Sequence, residues 1–134
     1  MKRWLSLAMV LTLVLVFAVG CSSGADFKDG QYQAESDFDD KGYKGSIEIV
    51  VKDGKITEVD YDELDEDGAK KSVDEDYAEA MEGVSGTKPA QAYEDLESSL
   101  VKSQDPDKVD AVTGATGTSE LFKELAKKAL EDAK

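Results

Sequence analysis

Fifteen residues without a charge, Leu5 to Val19, follow Met1-Lys2-Arg3-Trp4 and end just before Cys21, the only cysteine in the chain. This run sets which residues are available to fold. A bilayer span needs about 20 apolar residues, so the run is short for a membrane helix. A positive start, an apolar stretch and small residues at Ala18-Val19-Gly20 have the form of an export signal. The expected organisation is therefore a signal at 1–20, a tether at 21–28 containing Ser22-Ser23-Gly24-Ala25, and one folded domain at 29–134.

Ala18-Val19-Gly20-Cys21 resembles a lipobox, which implies lipid attachment at Cys21, cleavage before it and anchoring by acyl chains. The alternatives are an ordinary secreted protein or an uncleaved anchor helix. Lipidation would use the only thiol and leave the domain without a disulfide, a thiolate nucleophile or a cysteine metal site. Histidine is absent from the sequence, which removes the commonest general base, the usual zinc ligand and an imidazole triad. Taking the first 20 of 134 residues away leaves 114, enough for one modest core. Lys2 and Arg3 leave with the signal, so 14 basic residues face 30 acidic ones, a formal charge of −16. Such a surface repels nucleic acid and anionic headgroups.

The patterning predicts strands first and helices after them. Gly30 to Ser36 reads as a first strand, and Gly45 to Val51 alternates as a half-buried second one. Asp53-Gly54 marks a turn. A three-residue loop, Lys52-Asp53-Gly54 with a glycine bulge, sets Ile49 against Thr57 and Ile47 against Val59 and keeps Tyr61 on the same face. Asp62 to Gly68 is expected to be an exposed connection. Ser72-Val73-Asp74-Glu75 has the form of a capping box opening a helix with Tyr77, Ala78 and Met81 on its apolar side. A second helix opens near Pro89 and buries Ala92, Tyr93, Leu96 and Leu100. A last helix runs from about Ser119 with Leu121, Phe122, Leu125, Ala129 and Leu130 inward. The expected class is α+β: a small antiparallel sheet with a bulged hairpin, packed on one face by about three helices.

Asp110-Ala111-Val112-Thr113-Gly114-Ala115-Thr116-Gly117-Thr118-Ser119 precedes that last helix. Gly114, Ala115 and Gly117 allow close backbone approach to an anion, the hydroxyls add donors, and the helix end favours negative charge. The spacing matches neither a P-loop nor a dinucleotide fingerprint. The residues alone permit a phosphate seat or a simple helix cap by Thr116 or Thr118. Asp110-x-x-Thr113-Gly114-Ala115-Thr116 resembles the D-x-x-[ST]-G-A-[TS] flavinylation motif of the FMN-binding domain family at every defined position. The likeness extends over roughly residues 29 to 134. The long Tyr61-to-Pro106 insert is most similar to flavinylated lipoproteins of Gram-positive extracellular electron transfer.

The resemblance implies covalent FMN on Thr116, moved from FAD by a flavin transferase with magnesium. Asp110 would serve recognition by the transferase, and Thr113, Gly114, Ala115 and Gly117 would surround the phosphate. Tyr61 and Asp62 are candidate neighbours of the ring, with core packing as the alternative for Tyr61. The expected work is electron relay at the extracytoplasmic face of the membrane. Electrons would come from a quinone-linked dehydrogenase and pass to ferric iron, a soluble flavin or a reductase. The competing reading is a non-flavinylated envelope lipoprotein acting as a binding module. Asp37-x-Asp39-x-Lys41-Gly42 and Glu63-x-Asp65-x-Asp67-Gly68 have a partial calcium-loop form. Lys41, Glu63 and Asp74 stand at the wrong positions, and no metal site is assigned.

Overall fold

The computed structural model describes residues 27–134. The signal at 1–20, Cys21 and the tether up to residue 26 lie outside the described residues. Two residues before the expected start at 29 are packed onto the domain: Phe27 is buried and its amide donates to the Gly54 carbonyl at 3.3 Å, while the Lys28 amide donates to Ala133 at 2.7 Å. Three antiparallel strands follow in the order β1 (Gly30–Glu35), β2 (Lys44–Lys52) and β3 (Lys55–Leu64).

The hairpin between β2 and β3 is bulged, but not where the sequence placed the bulge. Asp53 and Gly54 both have positive φ, 54° and 76°, so the turn has two residues and Lys52 pairs with Lys55. That is the primed geometry which Asp-Gly favours. Val51 then faces Ile56, Val50 faces Glu58, and Thr57 is the extra residue. The Thr57 hydroxyl donates back to the Val50 carbonyl at 3.3 Å. The shift sets Ile49 opposite Val59 and Ile47 opposite Tyr61, instead of Thr57 and Val59. A bulge one pair inside the strand thus does the work assigned to a longer loop, and keeps the apolar residues on one face.

A second correction concerns Asp62 to Gly68. Strand β3 continues to Leu64, with Asp62 and Glu63 8% and 5% exposed. Both carboxylates are satisfied internally: Asp62 accepts from the Ser72 amide and hydroxyl, and Glu63 pairs with Lys71. Burial of charge is tolerable only with such partners. Ser72 therefore does not cap a helix. It lies in a 3₁₀ turn (Lys71–Val73), and α1 (Glu75–Ser85) is capped by Asp74, whose side chain accepts from the Tyr77 amide.

Helix α2 (Pro89–Ser103) buries Ala92, Tyr93, Leu96 and Leu100, the expected stripe. Helix α3 (Thr116–Leu130) buries Ser119, Phe122, Leu125, Ala126, Ala129 and Leu130. It opens three residues before the expected Ser119, which makes Thr116 helical. Helix α2 lies over β3, and α3 over β2 and β1. The core between them joins Ile47, Ile49, Val51, Ile56 and Tyr61 to Leu96, Leu100, Phe122 and Leu125. Helix α1 has no buried residue and packs at the side, against the 3₁₀ turn and α2. The architecture is the small α+β fold expected. The free edge of β3 is engaged at two residues by side chains of α2 and its C-cap: Gln104 bonds both the amide and the carbonyl of Ile56, and Glu97 accepts from the Tyr61 amide at 3.2 Å. Backbone groups occupied in this way are not free to pair with another strand.

Candidate functional site

The segment from Asp110 to Ser119 forms a compact turn that delivers its last threonine to a helix start. The Ala115 amide donates to the Val112 carbonyl at 3.0 Å, closing a four-residue turn with Gly114 at φ +82° in its third position. A type II turn requires this of that position. Glycine is needed there for a second reason: a Cβ on Gly114 would come within 2.7 Å of the Ser85 carbonyl oxygen. The turn is docked on the α1–α2 connection, and the Thr87 hydroxyl donates to the Thr113 carbonyl at 3.0 Å.

Ser119 holds the turn from below. It is 1% exposed; its hydroxyl donates to the Ala115 carbonyl at 2.7 Å and accepts from the Val112 amide at 3.0 Å. Thr118 is tied inward as well, donating to Glu63 Oε1 at 3.1 Å. Thr116, by contrast, is exposed and occupies the first position of α3. Its hydroxyl has no hydrogen-bond partner among the described residues. The preceding Ala115 supplies no side-chain cap, so the first amides of α3 are left for an external acceptor. No acidic side chain occupies that first turn.

Beneath the turn lies a buried polar cluster that the sequence did not indicate. Glu63 Oε1 receives the Tyr61 hydroxyl at 3.3 Å as well as Thr118, and Oε2 pairs with Lys71. The Lys71 ammonium sits 4.1 Å from the Tyr43 ring centroid and 4.8 Å from that of Tyr77. Burial pulls this ammonium towards neutrality, but the bond and charge of Glu63 outweigh it, and the net displacement is upward. Only the alternation of Tyr61 and Glu63 along one strand could have suggested Glu63, and its charge argued the other way.

Tyr61 and Asp62, offered as ring neighbours, are both buried. Tyr61 is 1% exposed and makes edge contacts with Tyr93 and Phe122 at 5.1 and 5.2 Å between centroids. Its body is core, and its hydroxyl serves Glu63. Burial first, then the charge of Glu63, pushes that phenol far above its usual titration range. Asp62 anchors the 3₁₀ turn. The Tyr93 hydroxyl is buried with no partner among the described residues. Tyr93 borders a void of about 50 Å³ together with Lys71, Gly114, Ala115 and Thr118.

On the other side of the turn, an open groove of about 560 Å³ runs between α2 and the start of the motif. Asp110 and Thr113, both exposed, line it with Val112. The two calcium-like stretches are closed loops. Asp39 Oδ1 accepts from the Lys41 and Tyr43 amides, and Asp65 Oδ1 accepts from those of Asp67 and Ala69.

Residues 42–131 match the family model of the FMN-binding domain. Over 123 residues, 91% of this chain and 87% of the other, the sequence is 36% identical to a 15 kDa lipoprotein of Treponema pallidum (strain Nichols). A crystal structure of a Clostridium perfringens protein superposes with a TM-score of 0.77 at 48% identity, covering 80% of this chain and 88% of that one. A solution structure of a Clostridium thermocellum protein gives 0.54 at 33%, covering 78% and 91%. The chain belongs to the FMN-binding domain family.

Proposed function

We propose that this protein is a lipid-anchored, extracytoplasmic flavoprotein that carries FMN as a phosphoester on Thr116 and relays electrons between redox partners. The observation that carries the reading is the position of the motif's last hydroxyl. Thr116 is exposed at the first residue of α3, beside amides that no side chain caps. The turn fits a phosphate: Gly114 holds the backbone against Ser85 where a Cβ could not go, and Ala115 and Gly117 leave the helix mouth clear. Thr113 and the Gly114 and Gly117 amides are the donors available around it, the Ala115 amide being used to close the turn on Val112.

Thr116 Oγ would hold the FMN as a phosphoester formed in exchange for the pyrophosphate bond of FAD, with AMP released and the flavin transferase and its magnesium supplying the chemistry of the transfer. Asp110, exposed three residues before Thr113, is the group offered to the transferase. When bound, FMN accepts and donates one or two electrons, and the chain's own part is to hold and tune it. A covalent link keeps the cofactor from being diluted away outside the membrane. Support for anchoring comes from the lipobox-like Ala18-Val19-Gly20-Cys21 and the similarity to a protein named as a lipoprotein. The electron donor in this reading is a membrane quinone-linked dehydrogenase.

The test is the intact mass of the chain produced with and without a flavin transferase, in the natural sequence and in Thr116→Val. The expected result is a gain of one FMN less water, with fluorescence that survives denaturation, lost in the variant. No gain with an active transferase would leave a non-flavinylated envelope lipoprotein acting as a binding module.

A further inference from the structure

The turn has a recess on each side, and only one has room for a ring system. Sites for small organic ligands generally run from about 300 to 1,000 Å³. The groove of about 560 Å³ falls in that range. The void of about 50 Å³ beside Tyr93 does not, having space only for water-sized molecules. The groove is continuous with the motif, since Asp110 and Thr113 form part of its wall.

Its other wall is a face of α2 that the core does not use. Gln91, Asp95 and Ser99 recur every four residues, so they stand in one row along the helix. None of the three side chains has a hydrogen-bond partner among the described residues. Val112, half-buried, supplies an apolar surface between the walls. We infer that this groove seats the isoalloxazine ring, with Gln91 and Asp95, one turn apart on α2, meeting its pyrimidine edge. That edge has two carbonyl acceptors and one N–H donor. Gln91 can donate and accept, and Asp95 accepts, while Ser99, about two turns from Gln91, extends the polar wall beyond that edge. The inference rests on Thr116 being the point of attachment.

Asp95 and Asp110 give the groove a negative potential. Carboxylates beside the ring oppose the gain of electron density on reduction and hold the midpoint potential down. The test uses the full chain loaded by a co-expressed transferase, as wild type, Asp95→Asn, Gln91→Ala and Glu58→Gln. Glu58→Gln removes the same charge from an exposed position on β3, outside the groove. Intact mass reports on attachment, while visible circular dichroism and the midpoint potential report on the ring's surroundings.

Asp95→Asn is expected to move the midpoint to a more positive potential, and Gln91→Ala to change the dichroism of the flavin band. Glu58→Gln should alter neither. Loaded variants that all keep the wild-type potential and dichroism would overturn the groove and leave Thr116 standing. A wild-type chain that gains no mass would overturn both.

Discussion

At the residue scale, Gly114 carries a demand that no other residue can meet. Its φ of +82° and the 2.7 Å approach of a Cβ to the Ser85 carbonyl act together, one a conformational cost and one a steric cost. Gly114→Ala should cost about 1–3 kcal/mol, the usual range for a non-glycine residue held in the left-handed region with nothing to relieve it. Thermal unfolding measures this directly, and an unchanged midpoint would mean that the turn can move off Ser85. If it moves, Thr116 is displaced too, and flavin loading should fall. Much of this site was legible, because the motif's glycine and hydroxyls stand in consecutive positions. Ser119 and Glu63 were not, since their partners at Val112, Ala115, Lys71 and Thr118 are set by folding.

At the scale of elements, strand β3 shows how a local rule can be overruled. Asp62-Glu63 looks like the start of a solvated loop, yet pairing with β2 continues to Leu64 because Lys71 and Ser72 come back to meet the two carboxylates. The hairpin is a parallel case: alternation demanded one extra residue, but placing it at Thr57 rather than in the turn depended on Asp53 accepting a positive φ. The buried Glu63–Lys71 pair makes a double-mutant prediction. Lys71→Met leaves a carboxylate 5% exposed without its cation and should destabilise by roughly 3–5 kcal/mol, as breaking a buried pair usually does. Adding Glu63→Gln should restore much of that loss, since the new amide needs no cation and still accepts from Thr118. Urea unfolding of the single and double variants checks the cycle. Additive losses would mean that the two residues act separately.

The molecule as a whole is acidic, with a formal charge of −14 over the sequence, and its shape concentrates part of that charge where α2 crosses the edge of β3. Glu97 closes that edge by accepting from the Tyr61 amide. Burial, against that hydrogen bond and with Asp60, Glu94 and Asp62 nearby, pushes its carboxyl up from 4.5 to about 7. The folded protein therefore holds this proton more tightly than the unfolded chain. The stability it contributes is complete below pH 4.5 and is lost as pH rises to about 7. Glu97→Gln keeps an oxygen for Tyr61 without the charge. The variant should match wild type near pH 4 and exceed it near pH 8, by roughly 1 kcal/mol once solvent screening of this half-buried group is allowed for. Comparing the two chains at each pH cancels the general self-repulsion of an acidic protein, which both share. Added salt should narrow the gap by screening the neighbouring carboxylates but not close it, because desolvation is the larger cause. A difference between the chains that stays constant from pH 5 to 8 would show that Glu97 does not titrate there, and that the edge of β3 is open to water.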